Sequence, residues 1–284
     1  MADEEFLAER FEAQRGHLRA VAYRMLGSVS DADDAVQEAW LRLSRADTSG
    51  VDNLGGWMTT VVGRICLDML RRRRVRPETA LPDPVVSAAD GPDPEQQALI
   101  ADSVGLALLV VLGSLNPAER LAFVLHDMFA VPFDDIAPIL GRSTDATKML
   151  ASRARRRVQG APVPDRDRAR QREVVDAFLA ASHGGDLGAL IAVLDPDVVL
   201  RADRGALEGV SEVRGARAVA GMALTFARMV AYETVPALVN GDAAVVNLED
   251  GRPVSMMSFT VVDGRIVEIN ILADASRLAG LDLG

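Results

Sequence analysis

The sequence predicts a multidomain protein in which two all-α domains are followed by an α+β domain shaped like a cone. Apolar residues recur at helical spacing through residues 1–160, whereas alternating segments separated by turn dipeptides fill the end of the chain. Two stretches rich in proline and aspartate, residues 77–94 and 161–168, interrupt these patterns and are predicted linkers. The predicted domains are therefore 1–76, 95–160 and 169–284.

Composition and charge limit the possible functions. Of the 284 residues, 49% are apolar, which is enough for several cores, and the net charge of −10 argues against a generally basic nucleic-acid coat protein. The charge is uneven, with −7 on residues 171–284 and −3 on the rest of the chain. Any affinity for nucleic acid must therefore come from local arginine clusters and should depend strongly on salt.

The sequence offers no sign of a disulfide, a metal site or a membrane segment. Its one cysteine, Cys66, excludes an internal disulfide and a cysteine-rich zinc site. The longest apolar run, residues 104–112, is too short to span a bilayer, and no signal peptide is visible. We expect a soluble cytoplasmic protein with no metal, no cofactor and no membrane partner.

The first domain is predicted to begin with two helices over residues 4–27, closed by Gly27 and Ser28. Ser30 or Asp31 should then cap a helix that ends at Leu43. The predicted buried stripe of this helix is Val36, Ala39, Trp40 and Leu43, and its opposite, acidic face is Asp34, Gln37, Glu38 and Leu41. That face is either a solvated surface whose acids favour the helix N-terminus or a docking site for a basic partner helix.

A long helix is predicted over Leu54 to Arg76, and its second half is rich in arginine. From 64 to 76 there are six arginines and one aspartate. A helix that begins with an aromatic residue and ends in arginines suits melted DNA, because bases stack on rings while arginines contact phosphates. The predicted inward residues are Trp57, Val61, Ile65, Met69 and Leu70, a spacing at which Trp57 is a core residue more often than a stacking platform.

Three further helices are predicted between Asn116 and Val158, after a helix over Glu95 to Gly113. Asn116 is a good N-cap and is followed by a proline at the first helical position. A break at residues 131–132 leads to a second helix ending at Gly141, which Pro138 should shorten or kink. Ser143 should cap the third helix.

The third of these helices has two distinct predicted faces. The packing stripe is Thr147, Leu150, Ala151, Ala154 and Val158, and the opposite face is Thr144, Lys148, Ser152 and Arg155, flanked by Arg142, Arg153, Arg156 and Arg157. A helix-turn-helix places such a basic face in the major groove of DNA. The alternative is a solvated arginine-rich helix end, which the helix dipole stabilises.

The C-terminal domain is predicted to pack helices against a curved antiparallel sheet. Helices are expected over Arg170 to His183, shortly after residue 186, and over 214–229. Strands are expected over 197–203, Glu233 to Val239, Ala243 to Glu249, Val254 to Val262 and Arg265 to Leu272. The dipeptides Asn240-Gly241, Asp250-Gly251 and Asp263-Gly264 between the last four are hairpin signals.

The first 158 residues resemble a known family. The segments DADDAVQEAWLRL, GWMTTVVGRICLDMLRRRR and LNPAERLAFVLHDMFAVPFDDIAPILGRS, followed by LASRARRRV, occur in the order and at the separation found in extracytoplasmic-function sigma factors of RNA polymerase. The resemblance implies sigma region 2 at 1–76 and sigma region 4, a helix-turn-helix, at 95–160. The implied partners are promoter DNA and core RNA polymerase, through the β′ clamp helices and the β flap.

The same resemblance implies three groups of contact residues. Core polymerase would be contacted by Asp33, Asp34, Gln37, Glu38 and Leu41. The minus-ten element would be contacted by Asn53, Trp57, Arg64, Arg71, Arg72, Arg73 and Arg74. The minus-thirty-five element would be contacted by Arg142, Ser143, Thr144, Lys148, Ser152, Arg153, Arg155 and Arg156.

The C-terminal segment EVVDAFLAASHGGDLGALIAVLDPDVVLRAD resembles the SnoaL-like, nuclear transport factor 2-like fold. Extracytoplasmic-function sigma factors with such a tail form a recognised group, which often carries L-P-E-P in the first linker and N-P-D-K-L near the end. The counterparts here depart from both patterns and are Leu81, Pro82, Asp83, Pro84 and Asp274, Arg277, Leu278. The resemblance implies that the two motifs meet and regulate the protein.

These observations favour a sigma factor rather than an enzyme. In this interpretation the C-terminal domain regulates the sigma factor in place of an anti-sigma protein. The alternative is a one-component helix-turn-helix regulator with a ligand-sensing cone, and a small ligand in the cone stays open. The candidate catalytic residues are Arg201, Asp203, Glu249 and His183, but no catalytic triad order, metal spacing or phosphate loop accompanies them. His183 sits at a helix end, and Asp203 reads as a turn residue.

Overall fold

The computed structural model describes residues 2–46, 51, 53–73, 81–88, 105–205, 208–229 and 232–279. The chain forms two compact units, which are described one at a time. The first contains Met1–Pro77 and Leu108–Ala161, and the second contains Glu78–Ala107 and Pro162–Gly284. The first is helical and the second combines helices with a sheet, so the predicted fold class is confirmed.

The helical unit begins with α1 (Ala2–Leu26), α2 (Val29–Leu43) and α3 (Leu54–Arg73). The prediction of two helices over 4–27 was wrong, because a glycine in a helix costs only about 1 kcal/mol and the helix continues through Gly16. The N-cap of α2 is Ser28, whose hydroxyl accepts a hydrogen bond from the amide of Asp31, so Ser30 and Asp31 lie inside the helix.

The buried stripe of α3 differs from the prediction. Ile65 is buried as expected, but Trp57, Val61, Met69 and Leu70 are half-buried, and the other buried residues are Met58, Thr59, Val62, Gly63, Cys66 and Leu67. The buried residues cover a wide part of the helix circumference because other helices pack on two sides of α3. On one of these sides a Cβ added at Gly63 would lie 2.9 Å from a methyl group of Leu125. Burial raises the pKa of the Cys66 thiol, which keeps it protonated and unreactive.

The second half of the helical unit contains α4 (Leu106–Ser114), α5 (Pro117–Phe123), α6 (Phe133–Leu140) and α7 (Thr144–Val158). The part of the predicted fourth helix before Gly105 lies outside the described residues. Asn116 caps α5, and Gly141 ends α6 in the left-handed conformation with a φ of 63°, as predicted. Pro138 lies inside α6, and this helix is short, as expected.

A π-helical turn over Val124–Met128 follows α5, and residues on either side of it contact α1. The guanidinium of Arg120 donates a hydrogen bond of 2.8 Å to the carbonyl of Met25. The ring of Phe129 lies 5.1 Å from the ring of His17, and the guanidinium of Arg24 lies 4.7 Å from the centroid of Phe129. The two predicted helical domains thus share one core.

The second unit is built on a seven-stranded sheet with the order β1-β4-β5-β6-β7-β2-β3. The strands are β1 (Val86–Ala88), β2 (Leu194–Asp203), β3 (Val210–Arg214), β4 (Glu233–Val239), β5 (Asp242–Glu249), β6 (Arg252–Val262) and β7 (Arg265–Leu272). Strands β2 and β7 pair in parallel, and the other neighbouring pairs of described strands are antiparallel. The predicted bounds of β4 and β7 are confirmed.

One face of the sheet packs against α8 (Arg168–Gly184), α9 (Leu187–Val193) and α10 (Ala216–Met229), and α11 (Ala275–Leu278) follows β7. The core between them is apolar, with Phe178 of α8 against Phe259 of β6. On β2, Val198, Leu200 and Ala202 belong to this core. Because side chains alternate along a strand, the intervening Arg201 and Asp203 lie on the opposite face of the sheet.

The three hairpin turns are confirmed, because both residues of each turn dipeptide have positive φ, between 51° and 88°. Two strands were not predicted. Edge strand β3 occupies residues read as loop, and β1 lies inside the stretch predicted to be a linker. Val86, Ser87 and Ala88 pair with Val239, Leu238 and Ala237, so part of this linker belongs to the sheet.

Candidate nucleic-acid and partner interfaces

The acidic face of α2 is exposed to solvent. Asp34, Gln37, Glu38 and Leu41 are exposed, as the helical spacing predicted. Asp33 is partly buried and forms an ion pair of 2.7 Å with Arg19 of α1, and Glu38 pairs along α2 with Arg42 at 3.0 Å. The face therefore combines carboxylates with an exposed leucine, the surface that a partner with basic and apolar side chains would fit.

A groove between α1 and α2 adjoins this face. Its volume is ≈ 360 Å³, and Gln37 and Leu41 of the acidic face form part of its wall. Phe11 of α1 and the half-buried Trp40 of α2 form its apolar side, with ring centroids 5.1 Å apart. A partner seated on α2 would thus also reach α1.

The predicted minus-ten residues on α3 are separated by the structure into capping and exposed groups. Asn53 caps the helix, since its side-chain oxygen accepts a hydrogen bond of 3.0 Å from the amide of Gly56. Arg64, Arg71 and Arg72 are exposed, and Arg71 lies 3.6 Å from Asp68. Trp57 is half-buried at the start of α3. Arg73 is the last residue of α3, and Arg74 lies outside the described residues.

The exposed face of α7 is rotated relative to the prediction. Thr147, Ala151 and Ala154 are buried, while the predicted stripe residues Leu150 and Val158 are only half-buried. Small side chains let α7 approach the other helices closely, which narrows the packed stripe. At 100° per residue, the centre of the exposed face therefore falls near Met149 and Arg156 rather than near Thr144 and Arg155.

Three residues assigned to the minus-thirty-five contact form bonds within the helix-turn-helix. The hydroxyl of Ser143 caps α7, and the hydroxyl of Thr144 donates a hydrogen bond of 2.8 Å to Asp134 of α6. Arg155 forms an ion pair of 2.6 Å with Asp127 in the π-helical turn. A second arginine, Arg157, pairs with Glu119 of α5 at 3.1 Å.

The other predicted residues of this contact remain available to a ligand. Arg142, Arg153 and Arg156 are exposed, and among the described residues no ion pair involves them. Lys148 is exposed and pairs within α7 with Asp145 at 3.3 Å, and Ser152 is also exposed. A rigid helix that presents Arg153 and Arg156, with Arg142 just before its start, can bind a row of phosphates.

In the second unit, the linker segment and the C-terminal motif meet at Arg277. Its guanidinium donates to Asp83 at 2.7 Å and 3.0 Å, to the carbonyl of Leu81 at 2.8 Å and to Asp203 at 2.8 Å. The same Asp203 oxygen accepts a hydrogen bond of 2.8 Å from the amide of Leu81. We call Leu81, Asp83, Asp203 and Arg277 the linker clasp.

The clasp is largely withdrawn from solvent. The side chain of Arg277 is 20% exposed, and that of Asp203 is 2% exposed. Asp203 ends β2 and its carboxylate accepts a hydrogen bond of 3.0 Å from the amide of Gly205, as expected of a turn residue, but it also fixes both the linker and α11. Leu278 is buried, Pro84 is buried and Pro82 is half-buried. A buried carboxylate with these donors is a strong anchor, since removing its partner leaves a charge without compensation.

Asp274 and Gly205 position the clasp arginine. The carboxylate of Asp274 caps α11 by accepting hydrogen bonds from the amides of Ser276 and Arg277. The hydroxyl of Ser276 also donates to it, and this hydrogen bond is the main reason that the pKa of Asp274 lies below its ordinary value. Gly205 has a φ of +89°, and an added Cβ there would lie 2.6 Å from Asp274.

A second set of hydrogen bonds ties the linker to the edge of the sheet. The side chain of Asn240 accepts a hydrogen bond of 3.0 Å from the amide of Val85, and the amide of Asn240 donates one of 2.8 Å to the carbonyl of Val85. These bonds extend the β1–β4 ladder by one residue. Sequence reasoning found Asn240 only as a turn residue and missed Gly205; a glycine two positions after a strand-ending aspartate was the available signal for the latter.

The candidate catalytic residues of the C-terminal domain do not form one site. Arg201 pairs with Glu212 at 3.0 Å and with Glu268 at 2.8 Å. Asp203 belongs to the clasp, and His183 and Glu249 are exposed. Within the described ranges, no group of three or more histidine, cysteine, aspartate or glutamate residues could hold a metal ion. In the same ranges, no helix is long and apolar enough to cross a membrane.

Comparisons with known proteins cover nearly the whole chain. Residues 10–76 match the family described as Sigma-70 region 2, and residues 105–158 match that described as Sigma-70, region 4. The ECF RNA polymerase sigma factor SigJ of Mycobacterium tuberculosis (strain ATCC 25618 / H37Rv) is 39% identical, over 96% of this chain and 93% of its own. The same organism's probable ECF RNA polymerase sigma factor SigI (strain CDC 1551 / Oshkosh) is 34% identical, over 98% of this chain and 97% of its own.

A solved structure agrees with these relatives. The crystal structure of the Mycobacterium tuberculosis extracytoplasmic function sigma factor SigJ has a TM-score of 0.79 to this chain, with 36% identity. The match covers 98% of this chain and 100% of that one. The similarity therefore includes the sheet unit as well as the helices.

Proposed function

The chain belongs to the extracytoplasmic-function sigma factors of RNA polymerase, and we propose that its C-terminal domain restrains its activity by holding the linker between sigma regions 2 and 4. As a sigma factor it binds core RNA polymerase and promoter DNA and directs transcription initiation. The observation that carries the restraint is the linker clasp, in which residues of the linker are bonded to β2 and α11.

Core polymerase docks on the acidic face of α2 in this proposal. Asp34, Gln37, Glu38 and Leu41 are exposed together, and Asp33 completes the face. Carboxylates around an apolar side chain complement the basic β′ clamp helices, and complementary charge accelerates association. The β flap is the proposed partner of region 4. The one-component regulator has no need of this docking face.

Promoter DNA is contacted by two helices in this proposal. The exposed arginines of α3, with Trp57 and Asn53 at its start, bind the melted minus-ten element. The exposed cations of α7 bind the duplex of the minus-thirty-five element, while Ser143, Thr144 and Arg155 keep α7 in position. Positioning and contact are therefore separate tasks of neighbouring residues.

The clasp restrains the protein by shortening the free linker. Residues 74–80 separate the end of α3 from Leu81, and seven residues span at most about 25 Å. While residues 81–88 are held by β4 and the clasp, the two sigma regions cannot use the full length of the linker to separate. Opening the clasp releases these residues, so a clasp variant should transcribe more than the wild type.

The C-terminal domain acts as a regulator rather than a catalyst in this proposal. Arg201 and Asp203, two of the candidate acid–base residues, are already committed to ion pairs. A small ligand that favours the open clasp would relieve the restraint, which is how a ligand of this domain would act. The protein's sigma factor relatives supply no enzymatic activity to transfer.

The docking proposal is tested by charge reversal on α2. Asp34→Arg with Glu38→Arg should abolish the binding of core polymerase and run-off transcription while the protein stays folded, because both residues are exposed. The matched control is Glu173→Arg with Asp176→Arg, two acids on α8 of the other unit. Unchanged polymerase binding in the α2 variant would refute the docking face.

A further inference from the structure

Met149 lies at the centre of the exposed face of α7 and was not among the residues predicted to contact DNA. The buried residues Thr147, Ala151 and Ala154 define the packed direction of this helix. At 100° per residue, the opposite direction falls between Met149 and Arg156. The side chain of Met149 is 59% exposed, which is unusual for a large apolar residue in the described part of the chain.

The surroundings of Met149 identify its partner as an anion with apolar groups. Arg153 and Arg156 flank it one turn and two turns along α7, and Arg142 lies just before the helix. In the described part of the chain none of these arginines has an ion pair. A cationic rim around an apolar centre matches the major groove, where phosphates border base edges and the thymine methyl group is the apolar feature.

The position of Met149 along the helix agrees with this partner. It is the sixth residue of α7, and the N-terminal part of a recognition helix is the part that contacts base edges. Asp145 and Ser152 lie on the same face, at i−4 and i+3 from it. The thioether is flexible and carries no hydrogen-bond donor, so it suits an apolar contact rather than a polar one.

We propose that Met149 reads the 5-methyl group of thymine in the upstream promoter element. This inference rests on the proposed function, since it requires α7 to enter promoter duplex. In this proposal Met149 recognises the DNA sequence. The surrounding arginines contact phosphates, which sets the register of the protein on the duplex but carries no sequence information.

The test removes the methyl group and the side chain separately. Holoenzyme reconstituted from the full chain and core polymerase first selects a promoter from a random pool. Each thymine of the upstream duplex is then replaced by deoxyuridine, which deletes only the methyl group. At one or two positions, wild-type affinity should fall about 4-fold, the effect of one buried methyl. Met149→Ala should lower affinity for the unmodified promoter and show no further loss at those positions.

Two further variants control the interpretation. Met149→Leu should keep most of the sensitivity to deoxyuridine, because the branched side chain still presents methyl groups. Met229→Ala removes an exposed methionine of the other unit and should change nothing. Since both methionines are exposed, the thermal stability of each alanine variant should match that of the wild type.

Three outcomes would overturn the inference. Equal deoxyuridine sensitivity in the wild type and in Met149→Ala would show that another residue reads the methyl groups. Unchanged promoter affinity in Met149→Ala would also show that Met149 does not read the promoter. If Met149→Ala loses polymerase binding rather than promoter affinity, Met149 contacts a protein. If the wild type enriches no specific promoter, the proposed function itself is rejected. That result differs from the three above, so the two proposals can fail separately.

Discussion

The linker clasp and the recognition helix α7 both depend on arginine, but they use it in opposite ways. Arg277 is mostly buried and donates hydrogen bonds to two carboxylates and a carbonyl. Arg153 and Arg156 are exposed and have no ion pair within the described segments. An arginine whose donors are already used holds the fold, whereas one with free donors is available to phosphate. Sequence position alone does not distinguish the two.

The largest expected effect is at the clasp. Arg277→Ala leaves the buried Asp203 without its ion pair, which costs about 3–5 kcal/mol of stability. Hydrogen exchange of residues 85–88 in the full chain should become fast, and the sheet unit should unfold at lower temperature. Arg277→Lys should recover only part of the loss, because an ammonium lacks the planar fork of donors.

Arg214→Ala is the matched control for that variant. Arg214 pairs with Glu212 at 2.8 Å, but its side chain is exposed, and such pairs contribute about 0–1 kcal/mol. An Arg277→Ala protein as stable as Arg214→Ala would contradict the structural role of the clasp.

The next effect concerns the backbone beside the clasp. Gly205→Ala forces a methyl group to within 2.6 Å of Asp274 at a φ of +89°, and a loss of about 2–3 kcal/mol is expected from strain and displacement. Gly209 also has positive φ, at +71°, but nothing lies within 4 Å of an added Cβ. The thermal unfolding temperature of Gly209→Ala should therefore lie between those of Gly205→Ala and the wild type. Equal losses would mean that backbone conformation alone matters.

On α7 the expected effect is on binding rather than on stability. Arg153→Ala with Arg156→Ala should weaken promoter binding for all sequences and reduce the slope of log affinity against log salt by about 0.9 for each phosphate that is no longer neutralised. Thermal stability should stay within about 0.5 kcal/mol of the wild type. Arg157→Ala is the control, because Arg157 pairs with Glu119 and should affect stability more than the slope.

The smallest expected effect is on the pH dependence of stability, in which the cap of α11 should differ from the cap of α7. The pKa of Asp274 is lowered, chiefly by the Ser276 hydroxyl, so its carboxylate stabilises α11 fully above the ordinary aspartate pKa of about 3.9. This contribution is lost as the pH falls through the lowered pKa. Asp274→Asn should remove that pH dependence while keeping a capping oxygen, whereas the cap of α7, the hydroxyl of Ser143, does not titrate in this range. Parallel acid unfolding curves for the wild type and Asp274→Asn would contradict this.

Helix caps and hairpin turns could be predicted from a few neighbouring residues. Asn116 before Pro117 located the start of α5, and Asn-Gly and Asp-Gly located the hairpins, because those residues tolerate the backbone that a cap or a tight turn requires. The acidic face of α2 followed from spacing alone. These features need no knowledge of the rest of the fold.

Tertiary contacts decided what the sequence could not predict. Strand β1 exists because β4 offers an edge, and a three-residue segment in a proline-rich stretch carries no strand signal of its own. The face of α7 was misplaced because Leu150 and Val158 read as core residues, while the close approach of Ala151 and Ala154 determines the packing. The part of Asp203 in the clasp was not predicted because its partner, Arg277, lies 74 residues away.

Run-off transcription with core RNA polymerase tests the central claim most directly, comparing the wild-type chain with Asp83→Ala. This substitution removes the linker's carboxylate from Arg277 without burying an unpaired acid, and the exposed Glu249→Ala serves as its control. Wild type and control should yield the same specific transcript, and Asp83→Ala should yield several-fold more, up to about 10-fold if the hydrogen bonds it removes contribute about 1.4 kcal/mol. Equal or lower output from Asp83→Ala would contradict restraint by the clasp, and no specific transcript from any form would contradict the assignment as a sigma factor.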